Sequence, residues 1–224
     1  MNRMKSVARL ARRVVVSSAE IGVIAVGVTG GTTGAAPRTT SVVIATAADS
    51  AVSALDRWQQ TRNPIDYVRF VQQRDLAAAM AEDDLEMGRG SIRAEWEQVA
   101  LDKQEALLSA VSQLGVPYRS HTSKPGVGFD CSGLTIWAFG EAGLDLPRIS
   151  GDQIRAADAV DPDEAEPGDL VYYPGHVSIY IGADMMVHSP NSGNHVEITD
   201  LPDRSLRFGD AASAFRAEAV ESDH

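Results

Sequence analysis

The stretch KPGVGFDCSGLTIWAFGEAGL, residues 124–144, contains the only cysteine of the chain, Cys131. If Asp130 caps a helix beginning there, Cys131 lies in the first turn, where free N–H groups and the helix dipole stabilise an anion. A thiolate nucleophile fits that place, and so does a small buried apolar residue, and position alone leaves the two readings level. Two histidines bear on the choice. His176, Ser178 and Tyr180 alternate with Val177, Ile179 and Ile181, which puts His176 on the strand face opposite the aliphatic set. Gly182-Ala183-Asp184 reads as a hairpin turn, and a turn centred on Gly182 pairs His176 directly with His188; a slip of two residues would keep both on one face at diagonal distance. Such a pair suits a relay in which one imidazole acts on the thiol and the other orients it. No CxxC or HExxH is present, so no metal site is expected. His195 and His224 sit in polar surroundings and read as solvated.

The elements that must hold these residues follow from pattern. Residues 30–50 are small and rich in Thr and Ala, and read as a linker without fold. From Ala51 helical spacing begins, with Leu55 and Trp58, then a segment opened by Asn63-Pro64 with Ile65, Val68, Val71 and Met80 on its apolar face, ended by Gly88-Arg89-Gly90. Ser91 is the expected N-cap of a third helix running to about Leu114, with Ile92, Trp96, Val99, Leu107, Val111 and Leu114 as its stripe and Gly115 as its stop. The cysteine helix follows, with Leu134, Trp137 and Ala138 on one face and Gly143 at its end; residues 167–201 then alternate as several antiparallel strands. The layout is α+β, a cysteine-bearing helix packed on a small antiparallel sheet.

Charge is unevenly spread. The formal charge is −11, yet residues 1–48 carry six Lys/Arg against one Glu, leaving −16 on the rest. An acidic body argues against nucleic acid as a partner. Arg3, Lys5, Arg9, Arg12 and Arg13 precede a broken apolar run, and Ala45-Thr46-Ala47 offers an A-x-A cleavage pattern, so the start reads as an export signal, with an uncleaved anchor as the alternative. The expected organisation is an export signal and linker at 1–48, a helical prefix at 49–104 and a catalytic domain at 105–218.

Taken together, GVPYRSHTSKPGVGFDCSGL, PGDLVYYPGHVSIYIG and MMVHSP resemble the NlpC/P60 family of papain-like cysteine peptidases, over about residues 105–200. The resemblance implies the papain-like NlpC/P60 fold and a peptidase without cofactor that cleaves peptidoglycan stem peptides between D-glutamate, through its γ-carboxyl, and a diamino acid such as meso-diaminopimelate or lysine. It makes Cys131 the nucleophile, His176 the base that then protonates the leaving amine, and His188 the group that orients His176. Tyr118 matches the family's tyrosine near the oxyanion and substrate pocket, Asp130 and Ser132 match positions lining the acyl side, and Arg148, Ser150 and Gln153 match a segment read as structural. The family commonly has a Gly-Gly pair shortly after the tyrosine, where this chain has His121 and Thr122. The implied setting is the cell wall, outside the cell. An amidase on the same scaffold and a non-catalytic wall-binding module are the alternatives. The prefix is expected either to cover the groove and inhibit, or to pack elsewhere.

Overall fold

A computed structural model describes residues 39–86 and 91–214. Four helices come first: α1 (Thr39–Thr61), α2 (Pro64–Asp84), α3 (Ser91–Gln98) and α4 (Leu101–Ser112). The first corrects the sequence reading, since residues 39–50, taken as linker, are helical. Small residues dominate there, and Ile44, Ala47 and Ala48 are buried, with Ala51 just after them, so a stretch that reads as featureless is a close-packing face. Ala47, the expected cleavage position, lies within this helix. Most of the expected export signal lies outside the described residues, as do Gly88-Arg89-Gly90 and His224. Among the described residues no helix is long and apolar enough to cross a membrane.

Helix α2 starts where Asn63-Pro64 predicts, the Asn63 side chain accepting from the N–H of Ile65 at 3.0 Å. Its buried face differs from the expected one. Ile65 and Val68 are more than half exposed, while Phe70, Ala77, Ala78 and Ala81 are buried together with Asp66, Arg74 and Glu82. The polar members of that face are bonded: Asp66 lies 3.4 Å from both Arg57 and Arg69, Arg74 donates to Gln104 at 3.1 Å, and Glu82 accepts from the N–H of Arg93. A face held by such partners cannot be recognised from its apolar spacing.

The expected third helix is two. Ser91 is the first residue of α3, and the ladder breaks at Val99-Ala100, where Ala100 is extended (φ −58°, ψ 151°). The Gln104 amide donates to the Val99 carbonyl at 2.8 Å, satisfying the acceptor that the break frees. No glycine or proline announces this break. The predicted stripe still holds, since Ile92, Trp96, Val99, Leu107, Val111 and Leu114 are all buried.

After a short ribbon of β1 (Ser123–Lys124) and β2 (Gly128–Phe129) comes α5 (Cys131–Glu141), then α6 (Ser150–Ala156) and six strands: β3 (Asp158–Val160), β4 (Leu170–Tyr173), β5 (His176–Gly182), β6 (Met185–His188), β7 (Glu197–Asp200) and β8 (Arg207–Asp210). They form one antiparallel sheet in the order β3-β8-β4-β5-β6-β7, with α5 packed against β5 and α4 against α5, which is the expected α+β architecture.

Helix α3 braces the β5-β6 turn. That turn is the two residues Ala183 and Asp184, both left-handed (φ 50° and 57°), after a bulge at Ile181. Trp96 donates to the Ile181 carbonyl at 2.7 Å, and the Glu95 carboxylate lies where a Cβ of Gly182 would stand, at a left-handed backbone (φ 95°) that favours glycine. This is the end of β5 opposite His176. The described prefix packs on α4 and on this far end of the sheet, so the expected covering of the groove is not supported.

Candidate active site

Asp130 is the N-cap of α5, as its sequence position predicts, accepting from the N–H of Gly133 at 2.7 Å; its own carbonyl accepts from Leu134. The N–H groups of Cys131 and Ser132 precede the helical ladder and point out of the helix start. Cys131 is half-buried, whereas Ser132 and Gly133 behind it are buried. Gly133 has a steric reason, because the Thr122 carbonyl lies where its Cβ would be. The other carboxylate oxygen of Asp130 accepts from the N–H of His121 at 2.7 Å and from Arg148 at 2.5 Å, while Arg148 also donates to Ser132 Oγ at 2.7 Å. Gln153, fully buried, donates to the Ser132 and Pro147 carbonyls and accepts from Thr135. Arg148 and Gln153 thus have the structural role expected of them, fixing the loop that carries Cys131.

Tyr118 is positioned by backbone pairing of residues 115–118 with 194–196 and is half-buried. Burial, then the nearby charges of Asp130 and Cys131, push its phenol up. The same pairing corrects His195, which bridges to Pro117 and is half-buried instead of solvated. His121 is left-handed (φ 59°), a conformation glycine adopts freely and other residues adopt at a cost of about 1 kcal/mol. The exposed imidazole bonds Ser120 Oγ through Nδ1 at 2.8 Å.

The two other histidines meet. The register pairs Ile179 with Val187 and Tyr180 with Met186, two residues away from the expected direct pairing: the turn at Ala183-Asp184 offsets the strands by three positions, and the bulge at Ile181 takes one of them back, which returns His188 to the face of His176. His188 therefore falls opposite Ser178 and diagonal to His176. Both rings stay on one face, with His176 Nε2 2.9 Å from His188 Nδ1 and the planes at 85°. His188 Nε2 lies 3.4 Å from Thr199 Oγ1 and 3.7 Å from Glu197 Oε1. The Glu197 carboxylate can only accept and Thr199 can accept as well, which favours the proton on His188 Nε2; in that tautomer His188 Nδ1 accepts, His176 carries its proton on Nε2, and the lone pair of His176 Nδ1 can act as a base. Tyr173 stacks on His176 with centroids 4.9 Å apart, and Arg204 lies 4.6 Å above the Tyr173 ring. Burial raises the Tyr173 phenol, the Arg204 charge opposes this, and the charge of Cys131 adds to the rise.

Burial holds both imidazoles at about 4, below their ordinary 6.5, helped at His176 by the Arg204 charge and at His188 by His176. Each folded value lies below the unfolded one, so the stabilisation is complete above about pH 6.5 and is lost as pH falls from there to about 4. For one imidazole the loss is of order 3 kcal/mol. Urea midpoints at pH 7.5 and 4.5 are expected to differ more in the native chain than in His188→Leu; equal differences would count against titration of the pair.

Sequence reasoning missed four contributors. Glu197 and Thr199 share one face of β7 by simple alternation, so they could have been found once β7 was paired with β6. Tyr173 is in the PGDLVYY run but carries no signal of stacking. Arg204 lies in an irregular segment and has none. Among the described residues no cluster of His, Cys, Asp and Glu could hold a metal ion.

Residues 115–207 match the NlpC/P60 family, and the chain carries an NlpC/P60 domain. Similar proteins include the bifunctional muramidase/DL-endopeptidase CwlT of Bacillus subtilis, 38% identical over 46% of this chain and 33% of that protein. The peptidoglycan endopeptidase RipB of Mycobacterium tuberculosis is 40% identical over 41% of this chain and 45% of that protein. A gamma-D-glutamyl-L-lysine dipeptidyl-peptidase of Bacillus cereus is 40% identical over 39% of this chain and 28% of its own length. The chain thus spans less than half the length of these relatives. The solved structure of the peptidoglycan hydrolase RipB aligns over 63% of this chain and 82% of its own with a TM-score of 0.47 and 28% identity.

Proposed function

We propose that this chain is an exported peptidoglycan endopeptidase acting in the cell wall, which hydrolyses the bond between the γ-carboxyl of D-glutamate and a diamino acid by a Cys-His-His mechanism. The observation that carries the reading is the His176–His188 contact, whose hydrogen-bond order leaves His176 Nδ1 as a base on the same domain as a thiol at a helix start. His176 takes the Cys131 proton, and the thiolate adds to the amide carbonyl. The N–H groups at the start of α5 hold the oxyanion, with Tyr118 beside it. His176 then protonates the departing amine, and the acyl-enzyme is released by a water that His176 activates. Asp130 and Ser132, fixed by Arg148, form the acyl-side wall.

The test is digestion of purified wall peptides by the full chain, with product masses compared before and after alkylation of its single thiol. Loss of the diamino acid end of the stem, abolished by alkylation, is the expected result. Cleavage at the amide joining sugar and peptide would make the protein an amidase. Binding without turnover would make it a wall-binding module.

A further inference from the structure

Arg204, Tyr173 and His176 form a column beside the reacting groups: guanidinium on phenol ring at 4.6 Å, phenol ring on imidazole at 4.9 Å. Tyr173 is held there by strand pairing, opposite His176 across β4 and β5. Arg204 is exposed, its N–H donates to the Pro202 carbonyl, and among the described residues it makes no ion pair, although Asp163 and Asp184 line the same depression. A guanidinium held over a ring by its charge carries N–H donors along its edges, and such edges match a carboxylate in a two-bond fork. In a body of strongly negative charge, an exposed cation near the base attracts an anionic substrate group, with Asp163 and Asp184 in the same depression as the carboxylates it must compete with.

The side of the substrate follows from the proposed chemistry. His176 hands its proton to the departing amine, so on this reading the leaving residue lies on the His176–Tyr173 side, the side that carries Arg204. We propose that Arg204 is a specificity residue that receives the carboxylate ending the side chain of the leaving diamino acid, selecting that residue over a diamino acid ending in a bare amine. This rests on the peptidase reading for the bond cleaved and adds which residue beyond the bond is preferred.

Two synthetic stem peptides that differ only in the leaving residue, meso-diaminopimelate or lysine, decide it. The full chain is expected to favour the carboxylate-bearing peptide about tenfold or more in kcat/KM. In Arg204→Gln that ratio should fall toward one, chiefly through KM, with Arg204→Lys between the two. If Arg204 only clamps Tyr173, both peptides lose by the same factor, and the proposal is overturned; a native chain without preference overturns it as well. If neither peptide is cleaved, the peptidase reading has failed, and calorimetric binding of the same two peptides takes over. Tighter binding of the diaminopimelate peptide, lost in Arg204→Gln, supports the carboxylate site, and equal affinities refute it.

Discussion

Cys131→Ala and His176→Ala are each expected to lower kcat/KM on a stem peptide by about a thousandfold or more, and the double variant to lose no more than the worse single one. Nucleophile and base act as a unit, because a thiol without a base and a base without a thiol both leave the acyl transfer unmade. His188 should behave differently. Its Nδ1 needs only to accept the His176 Nε2–H, at 2.9 Å. His188→Leu removes that acceptor, frees the other tautomer of His176, and should cost about a hundredfold in kcat with little change in KM. His188→Asn supplies a carbonyl oxygen near the same place and should recover much of the loss. Singles whose effects multiply in the double variant would mean that Cys131 and His176 do not work on one proton, and an equal loss in His188→Asn and His188→Leu would remove the tautomer argument.

The nucleophile region was the most legible part of the chain because its signals are local. Asp130 immediately before the first helical residue and Gly143 just past the end define α5, and both stand as read. The histidine pair was legible in face but not in register. Alternation fixes which side a strand residue takes, whereas the extra residue at Ile181 depends on Trp96 and Glu95, which lie in a different element eighty-odd positions earlier. The prefix was misread for a related reason. Residues 39–50 bury small side chains, which give weak periodicity, and α2 buries charged groups whose partners come from other helices. At the α3–α4 break the freed Val99 carbonyl is met by a glutamine side chain from the next helix. Pattern reading succeeds where the determinant lies within one turn or one strand, and fails where a distant side chain supplies the missing bond.

Lys103→Met is expected to destabilise the fold by about 3–5 kcal/mol, seen as a lower urea midpoint with little change in slope. Lys103, in the first turn of α4, is buried, and its Nζ lies 2.8 Å from Asp169, 3.0 Å from Asp210 and 3.1 Å from the more exposed Glu166. Burial alone would lower its pKa, but the bonds and charges of Asp169 and Asp210 outweigh this and hold it above the usual lysine range. One cation thereby ties α4 to the turn before β4 and to β8, and the sequence marks the spot with Pro167-Gly168-Asp169. Gly168 is left-handed (φ 97°), and a Cβ there would stand 2.7 Å from that of Lys103, so only glycine lets the turn reach the helix. Methionine restores the packing but leaves the buried Asp169 and its neighbour Asp210 with no cation between them. The loss should therefore shrink when Asp169→Asn is added, since an amide oxygen can still accept from the N–H of Glu166 as the carboxylate does at 2.8 Å. It should also shrink at lower pH, where a buried carboxyl with a raised pKa binds the proton that replaces the lysine. A deficit that is independent of pH and unmoved by Asp169→Asn would mean that Lys103 contributes through packing of its methylene stem against Gly168 instead of through its charge.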